Sequence, residues 1–138
     1  MNWYQVGEAA ILASVLSSFT DWYFFGIMFH DRYHSTPGVW RQYKDKKDEI
    51  KSVTIGTLYG SVTSIVFVIS CAYWDIYGYL PALITAGILW IMIPMPLLLS
   101  NAQFMKIDRR LVISHGLGWL ARLVVSALSV GLCLKSAS

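Results

Sequence analysis

LVISHGLGWLARLVVSALSVGLCL, residues Leu111 to Leu134, decides the fold. A helix needs about 20 mostly apolar residues to cross a bilayer, and this run supplies them. Its one formal charge is Arg122. Three more runs of the same kind lie upstream. They cover about 3–29, 53–73 and 80–101, and the fourth covers 111–134. Pro81 falls in the first turn of the third run, where a missing N–H is harmless. The reading is an all-α protein, a bundle of four transmembrane helices forming a single integral membrane domain over 1–138.

Composition agrees. Of 138 residues, 56% are hydrophobic and 14% charged, against about 25% charged in an average soluble domain. Mean hydropathy is +0.52. Such a chain cannot cover a soluble surface. It is one domain long, which excludes a multidomain enzyme. A net charge of +3 does not make a nucleic-acid binder, because the basic residues sit where membrane topology wants them. Two cysteines without a repeated spacing make neither a disulfide framework nor a thiolate metal site. No Lys or Arg precedes the first apolar run, so it is expected to stay in the mature protein. No lipidation motif is present.

Orientation follows from the Lys and Arg count by side. The first connector holds Arg32, Arg41, Lys44, Lys46, Lys47 and Lys51, and the third holds Lys106, Arg109 and Arg110. With four spans these connectors share a side, giving nine basic residues against Lys135 alone on the other. Both termini are expected outside, and the basic loops in the cytoplasm of a multi-pass inner-membrane protein. Trp3, Tyr4, Tyr73, Trp74, Tyr77 and Tyr79 then fall at the outer boundary, the level amphipathic rings prefer. Trp40 and Tyr43 flank Arg41 and Lys44 at the inner one. That stretch reads either as a short interfacial helix starting at Ser35 or Thr36 before Pro37, or as a solvated loop. The run Lys44 to Glu49, alternating in sign, reads as a solvated helical extension of the second span.

Ionisable residues inside a span cost about 2.5–3.5 kcal/mol each on insertion scales, so they are functional hypotheses by default. Asp21 in the first span and Arg122 in the fourth stand out. At about 100° per residue, His115, Arg122, Ser126, Ser129 and Cys133 form one stripe, and Gly7, Ala10, Ser14, Ser17 and Asp21 form another. Counted at 1.5 Å per residue from the inner boundary, Asp21 lies roughly 10 Å deep, His115 roughly 6 Å and Arg122 roughly 16 Å. Asp21 and Arg122 are therefore expected to pair, with His115 the second partner for the same carboxylate. Such a pair either fastens two helices or serves a ligand, ion or proton, unless Asp21 or Arg122 instead contacts another chain. The expected polar centre is Asp21, His115, Arg122 and Ser126.

Other motifs are less specific. Gly56 and Gly60 have GxxxG spacing, which supports close helix packing. Pro94 and Pro96 remove backbone donors and should kink the third span. The carbonyls freed near Trp90 to Ile93 either bind a ligand or simply mark the kink. His30 and His34 are four apart, a spacing that can chelate a metal or, with His115, a haem. Three histidines with no cysteine at their level make a sparse donor set, and headgroup-facing imidazoles are the plainer reading. No cofactor is expected. Cys71 and Cys133 fall near the outer ends of their helices, where they either pair in an oxidising periplasm, if those ends touch, or stay as buried free thiols, the reading their apolar windows favour.

Several local patterns are similar to one family. Met1-Asn2-Trp3, then Trp22-Tyr23-Phe24-Phe25-Gly26, Leu89-Trp90 ahead of Pro94, and a glycine-containing fourth span resemble the family called domain of unknown function 1761. The resemblance implies a small four-helix bacterial membrane protein and brings no established activity. Asp21, His115 and Arg122 are not residues it assigns.

Three functions compete. The first is binding or passage of a small solute or ion at the polar centre, as a homo-oligomer because four short helices enclose little volume. The second is a non-catalytic structural or accessory subunit of a membrane complex. The third is a membrane enzyme on a lipophilic substrate, using His30, Asp31, His34 or His115 as acid and base. It has no diagnostic spacing behind it. The expected partners are the lipid bilayer and either a second copy or a complex subunit, with no nucleic acid.

Overall fold

The computed structural model describes residues 2–28, 38, 43–105 and 107–135. Helix α1 covers Trp3–Asp21, and its start is capped by the Asn2 side chain, which accepts from the Tyr4 N–H at 3.1 Å. A π-helical stretch, Trp22–Met28, continues it. Helix α2 covers Lys46–Tyr73. Asp45 caps it, accepting from the Asp48 N–H at 2.8 Å, and Asp48 and Glu49 complement the helix dipole in the first turn. The charge run is thus the helical entry to the second span, which begins seven residues before the apolar window.

The third span is broken. Helix α3 covers Tyr79–Met92 and α4 covers Pro94–Phe104. Pro94 has no N–H for the Trp90 carbonyl, and Pro96 has none for that of Met92. Ile93 takes up the change of direction with φ −115° and ψ −72°. Its N–H still donates to the Leu89 carbonyl at 3.0 Å. Helix α5 covers Arg109–Cys133 behind an Asp108 cap. Between α2 and α3 the chain reverses through Asp75 and Gly78, both at positive φ (54° and 82°). Glycine adopts that region freely, and Asp tolerates it better than most residues.

Among the described residues, four stretches are long and apolar enough to cross a membrane: Trp3–Met28, Lys46–Tyr73, Tyr79–Phe104 and Arg109–Cys133. At 1.5 Å per residue each exceeds the ~30 Å hydrocarbon core. Their surfaces are inverted relative to a soluble protein. Ile11, Phe19, Leu58, Val62, Ile88 and Ile91 are exposed, while Ala9, Ala13, Ala82, Ala86, Ala127, Ser64 and Ser129 are fully buried. Small residues let the helices approach closely, and the large aliphatic ones are left for lipid.

Helix α5 is the hub. It packs against α1, α2, α3 and α4, while α1 also packs on α2. The third span reaches the rest mainly through α5, so the four helices do not close into an even ring. Glycines explain how one helix serves several neighbours. Trp90 donates its indole N–H to the Gly116 carbonyl at 2.8 Å, a bond to a backbone position with no side chain in the way. Cys71, buried, and Cys133, half-buried, are both free thiols.

Candidate functional site

The site lies at the end of the bundle where the first span finishes and α2 and α5 begin. Three helix faces converge there. On α2, Glu49, Ser52, Val53, Gly56, Thr57 and Gly60 recur at three- and four-residue steps and wind along one stripe, about 16 Å long by helical rise. The first span presents Ser18, Asp21, Trp22, Phe25 and Gly26, and α5 presents His115, Trp119 and Arg122. Between them is a pocket of about 510 Å³, within the range of small-molecule sites.

An ion pair closes its inner end. Nη2 of Arg122 donates to Oδ2 of Asp21 at 2.5 Å, linking residues 101 apart in sequence. Both side chains are nearly buried, 11% exposed for Arg122 and 12% for Asp21. Depth along antiparallel helices brings them together, because the Arg side chain reaches back toward its helix N-terminus. The face of Trp119, one turn earlier on α5, covers the guanidinium, with Cζ 4.9 Å from the ring centroid. Two atoms of the pair, Asp21 Oδ1 and Arg122 Nε, are buried without a hydrogen-bond partner among the described residues. A buried polar atom left unpaired is costly, so this pair is not a fully satisfied clamp.

Gly60 makes room for the pair. A Cβ there would stand 2.8 Å from both Nη2 of Arg122 and Oδ2 of Asp21. Gly56 differs: it is exposed and lines the pocket, with nothing within 4 Å of a would-be Cβ. The two glycines therefore do not share one packing face, and the expectation of close helix contact at Gly56 is corrected. One helical turn separates them, and the pocket opens between.

Past the ion pair the helices seal. Ser64 donates to the Ser17 hydroxyl at 3.0 Å across α1 and α2. Beyond it Ala13, Phe67, Val68, Ala127 and Val130 are buried together. Ser126 lies in this interior and does not line the pocket. Its hydroxyl donates to the Arg122 carbonyl at 2.9 Å. A serine on an apolar helix finds its nearest acceptor in its own backbone, so its expected place in the polar centre is corrected.

His115 lines the pocket wall. Its ring lies 5.1 Å from that of Phe25, tilted by 42°. Phe25 in turn occupies the space a side chain at Gly118 would need, its Cζ only 2.9 Å from such a Cβ. The π-helical stretch carries Phe25 into this position. π-helical turns are rare and concentrate at functional sites. Tyr43, expected at the inner headgroups, lines the pocket. His30, Asp31, His34 and, apart from Gly38, the stretch Ser35 to Arg41 lie outside the described residues.

Some site residues gave no warning in sequence. Glu49 belonged to a charge run that read as solvated. Trp119 had one usable signal, its position three residues before Arg122, where an indole can cover a guanidinium on the same helix face. Phe25 and Gly118 had none, because their contact depends on the π-helical geometry.

A family model described as protein of unknown function (DUF1761) matches residues 9–131. The chain belongs to the DUF1761 family. The match covers the second and third spans of this DUF1761 chain and most of the first and fourth, and with them Asp21, Gly60, His115, Trp119 and Arg122. No curated protein and no solved structure matches it.

Proposed function

We propose that this membrane protein binds a small solute in the pocket enclosed by the first span, α2 and α5. Supporting this is the coincidence of a 510 Å³ space with a buried ion pair that is not fully satisfied. A pair whose role was only to fasten helices would be expected to meet its remaining valences within the bundle, as buried polar networks generally do. Binding suits the geometry better than passage through one chain, since the Ser17–Ser64 bond and the alanine-rich interior lie beyond the pair. In this reading the basic connectors face the cytoplasm of a bacterial inner membrane, the pocket opens on that side, and chains associate as homo-oligomers.

Gly56 supplies the test. It faces the pocket and has space for a side chain, so Gly56→Phe should fill the site without disturbing the helices. Purified wild-type chain in mild detergent is screened by thermal shift against a panel of small solutes. A solute that raises the melting temperature of wild type and leaves Gly56→Phe unmoved supports the reading. If every stabilising solute acts equally on both, binding occurs elsewhere and the pocket is not the site.

A further inference from the structure

The polarity of the pocket walls assigns a ligand class, and we propose that the site takes an alkyl- or arylammonium group. The inference rests on the binding reading above and names what is bound.

The hydrogen bonds decide the sign. The Ser18 hydroxyl donates to the Ser14 carbonyl at 2.8 Å, and that of Thr57 to the Val53 carbonyl at 3.0 Å. Their protons are engaged on the backbone, so each oxygen is left to the pocket as an acceptor. Glu49 adds a carboxylate at the opening. It is half-buried and makes no ion pair with a described residue. Asp21 also lines the space, but its second oxygen is buried, so its charge acts through the pair with Arg122 and not by direct contact.

Among the described residues that line the space, Arg122 is the one Lys or Arg, and it is paired with Asp21. Arg122 holds Asp21 Oδ2, and its guanidinium lies over Trp119. Lys44, Lys46 and Lys47 are exposed and do not line the pocket. After the Asp21–Arg122 charges cancel, Glu49 leaves the described lining residues with one net negative charge.

The rest of the surface is aromatic. Trp22, Phe25 and Tyr43 surround the space. Aromatic faces attract organic cations, most strongly when water is excluded. Hydroxyl oxygens, a lone carboxylate and ring faces together suit an ammonium group carrying an apolar body. The described residues offer an anion little, since Arg122 is paired with Asp21 and its Nε is buried. The ammonium has two sources: a free amphipathic amine, or the ethanolamine headgroup of a phospholipid entering from the bilayer.

The test uses two probes of similar body and opposite charge, benzyltrimethylammonium and benzoate. Each is titrated into the full chain in detergent, with tryptophan fluorescence and melting temperature as readouts. Saturable binding of benzyltrimethylammonium, absent in Gly56→Phe, is expected. Glu49→Gln should weaken it about fivefold, the upper end for a solvent-facing charge pair. Glu49→Lys should weaken it further. Both substitutions sit on the first turns of α2, away from the core, and a melting temperature without probe shows that each variant is folded.

Benzoate binding in place of the cation, lost in Gly56→Phe, would overturn the ammonium assignment and leave the pocket reading standing. A cation that binds with no loss in either Glu49 variant overturns the assignment as well. If neither probe distinguishes wild type from Gly56→Phe, while a different solute does, only the assignment fails. If no solute distinguishes them, both fail. Nanodiscs separate the two sources. Competition by phosphatidylethanolamine, with none by phosphatidylglycerol, assigns the ammonium to the lipid, and no competition by either assigns it to a free amine.

Discussion

Gly60 lies beneath the guanidinium of Arg122, where a Cβ would stand 2.8 Å from Nη2. The same Cβ would stand 2.8 Å from Oδ2 of Asp21. Both obstructing atoms belong to one ion pair, so neither can move away without weakening the other's contact. Gly60→Ala should lower the melting temperature in detergent by the equivalent of about 1–3 kcal/mol, the usual cost of overpacking. Gly56→Ala, one turn away with open space around it, should stay within about 0.5 kcal/mol of wild type. Alanine also favours the helix at either position. Equal melting temperatures for the two variants would show that Gly60 does not confine the pair.

Asp21 and Arg122 offer a double-mutant cycle. Removing one partner of a buried pair costs about 3–5 kcal/mol because the other charge is stranded. Asp21→Asn and Arg122→Gln should each reduce folded yield and melting temperature strongly. The double variant strands no charge and should recover part of the loss. Strict additivity would show that the two side chains do not act on each other.

Much of this arrangement was legible before the coordinates. Counting helical rise from the span ends placed Asp21 and Arg122 within reach of each other, because two antiparallel spans and a long side chain fix that geometry closely. The break at Pro94 followed from missing N–H groups alone. What was not legible depended on rotation and on non-α turns. Whether Glu49 faces solvent or the pocket is settled by where α2 begins and by which face α1 and α5 leave open. Phe25 reaches Gly118 only through the π-helical stretch Trp22–Met28, which no apolar periodicity announces. Ser126 shared a stripe with Arg122, but a hydroxyl four residues on meets its own helix's carbonyl first.

Phe25 and Gly118 should behave as a size-matched pair. The Phe25 ring stands where a Gly118 side chain would project. Gly118→Ala should destabilise the chain by about 1–3 kcal/mol through overpacking. Phe25→Leu alone should also cost stability, since it removes ring contacts to His115 and leaves a gap. In the double variant the smaller side chain makes room for the new methyl group. Its melting temperature should therefore lie above the sum of the two losses. A loss equal to that sum, or larger, would mean that the ring is not held against Gly118.

Charge outside the bundle predicts its orientation. The connectors after the first and third spans, together with the opening turns of α2 and α5, carry nine Lys and Arg residues, and the segment after α5 carries Lys135 alone. The pocket lies at the end of the bundle where the first span finishes and α2 and α5 begin. Positive residues close to span ends are retained in the cytoplasm during insertion, and the bias holds over short loops such as these. A C-terminal alkaline phosphatase fusion, active only after export, should therefore be active, and a C-terminal green fluorescent fusion dark. Moving the bias should move the topology. Replacing Lys106, Arg109 and Arg110 by Gln while adding three lysines after Lys135 should produce a mixed population. A bright fluorescent fusion on the unaltered chain would invert the bundle and turn the pocket to the outside.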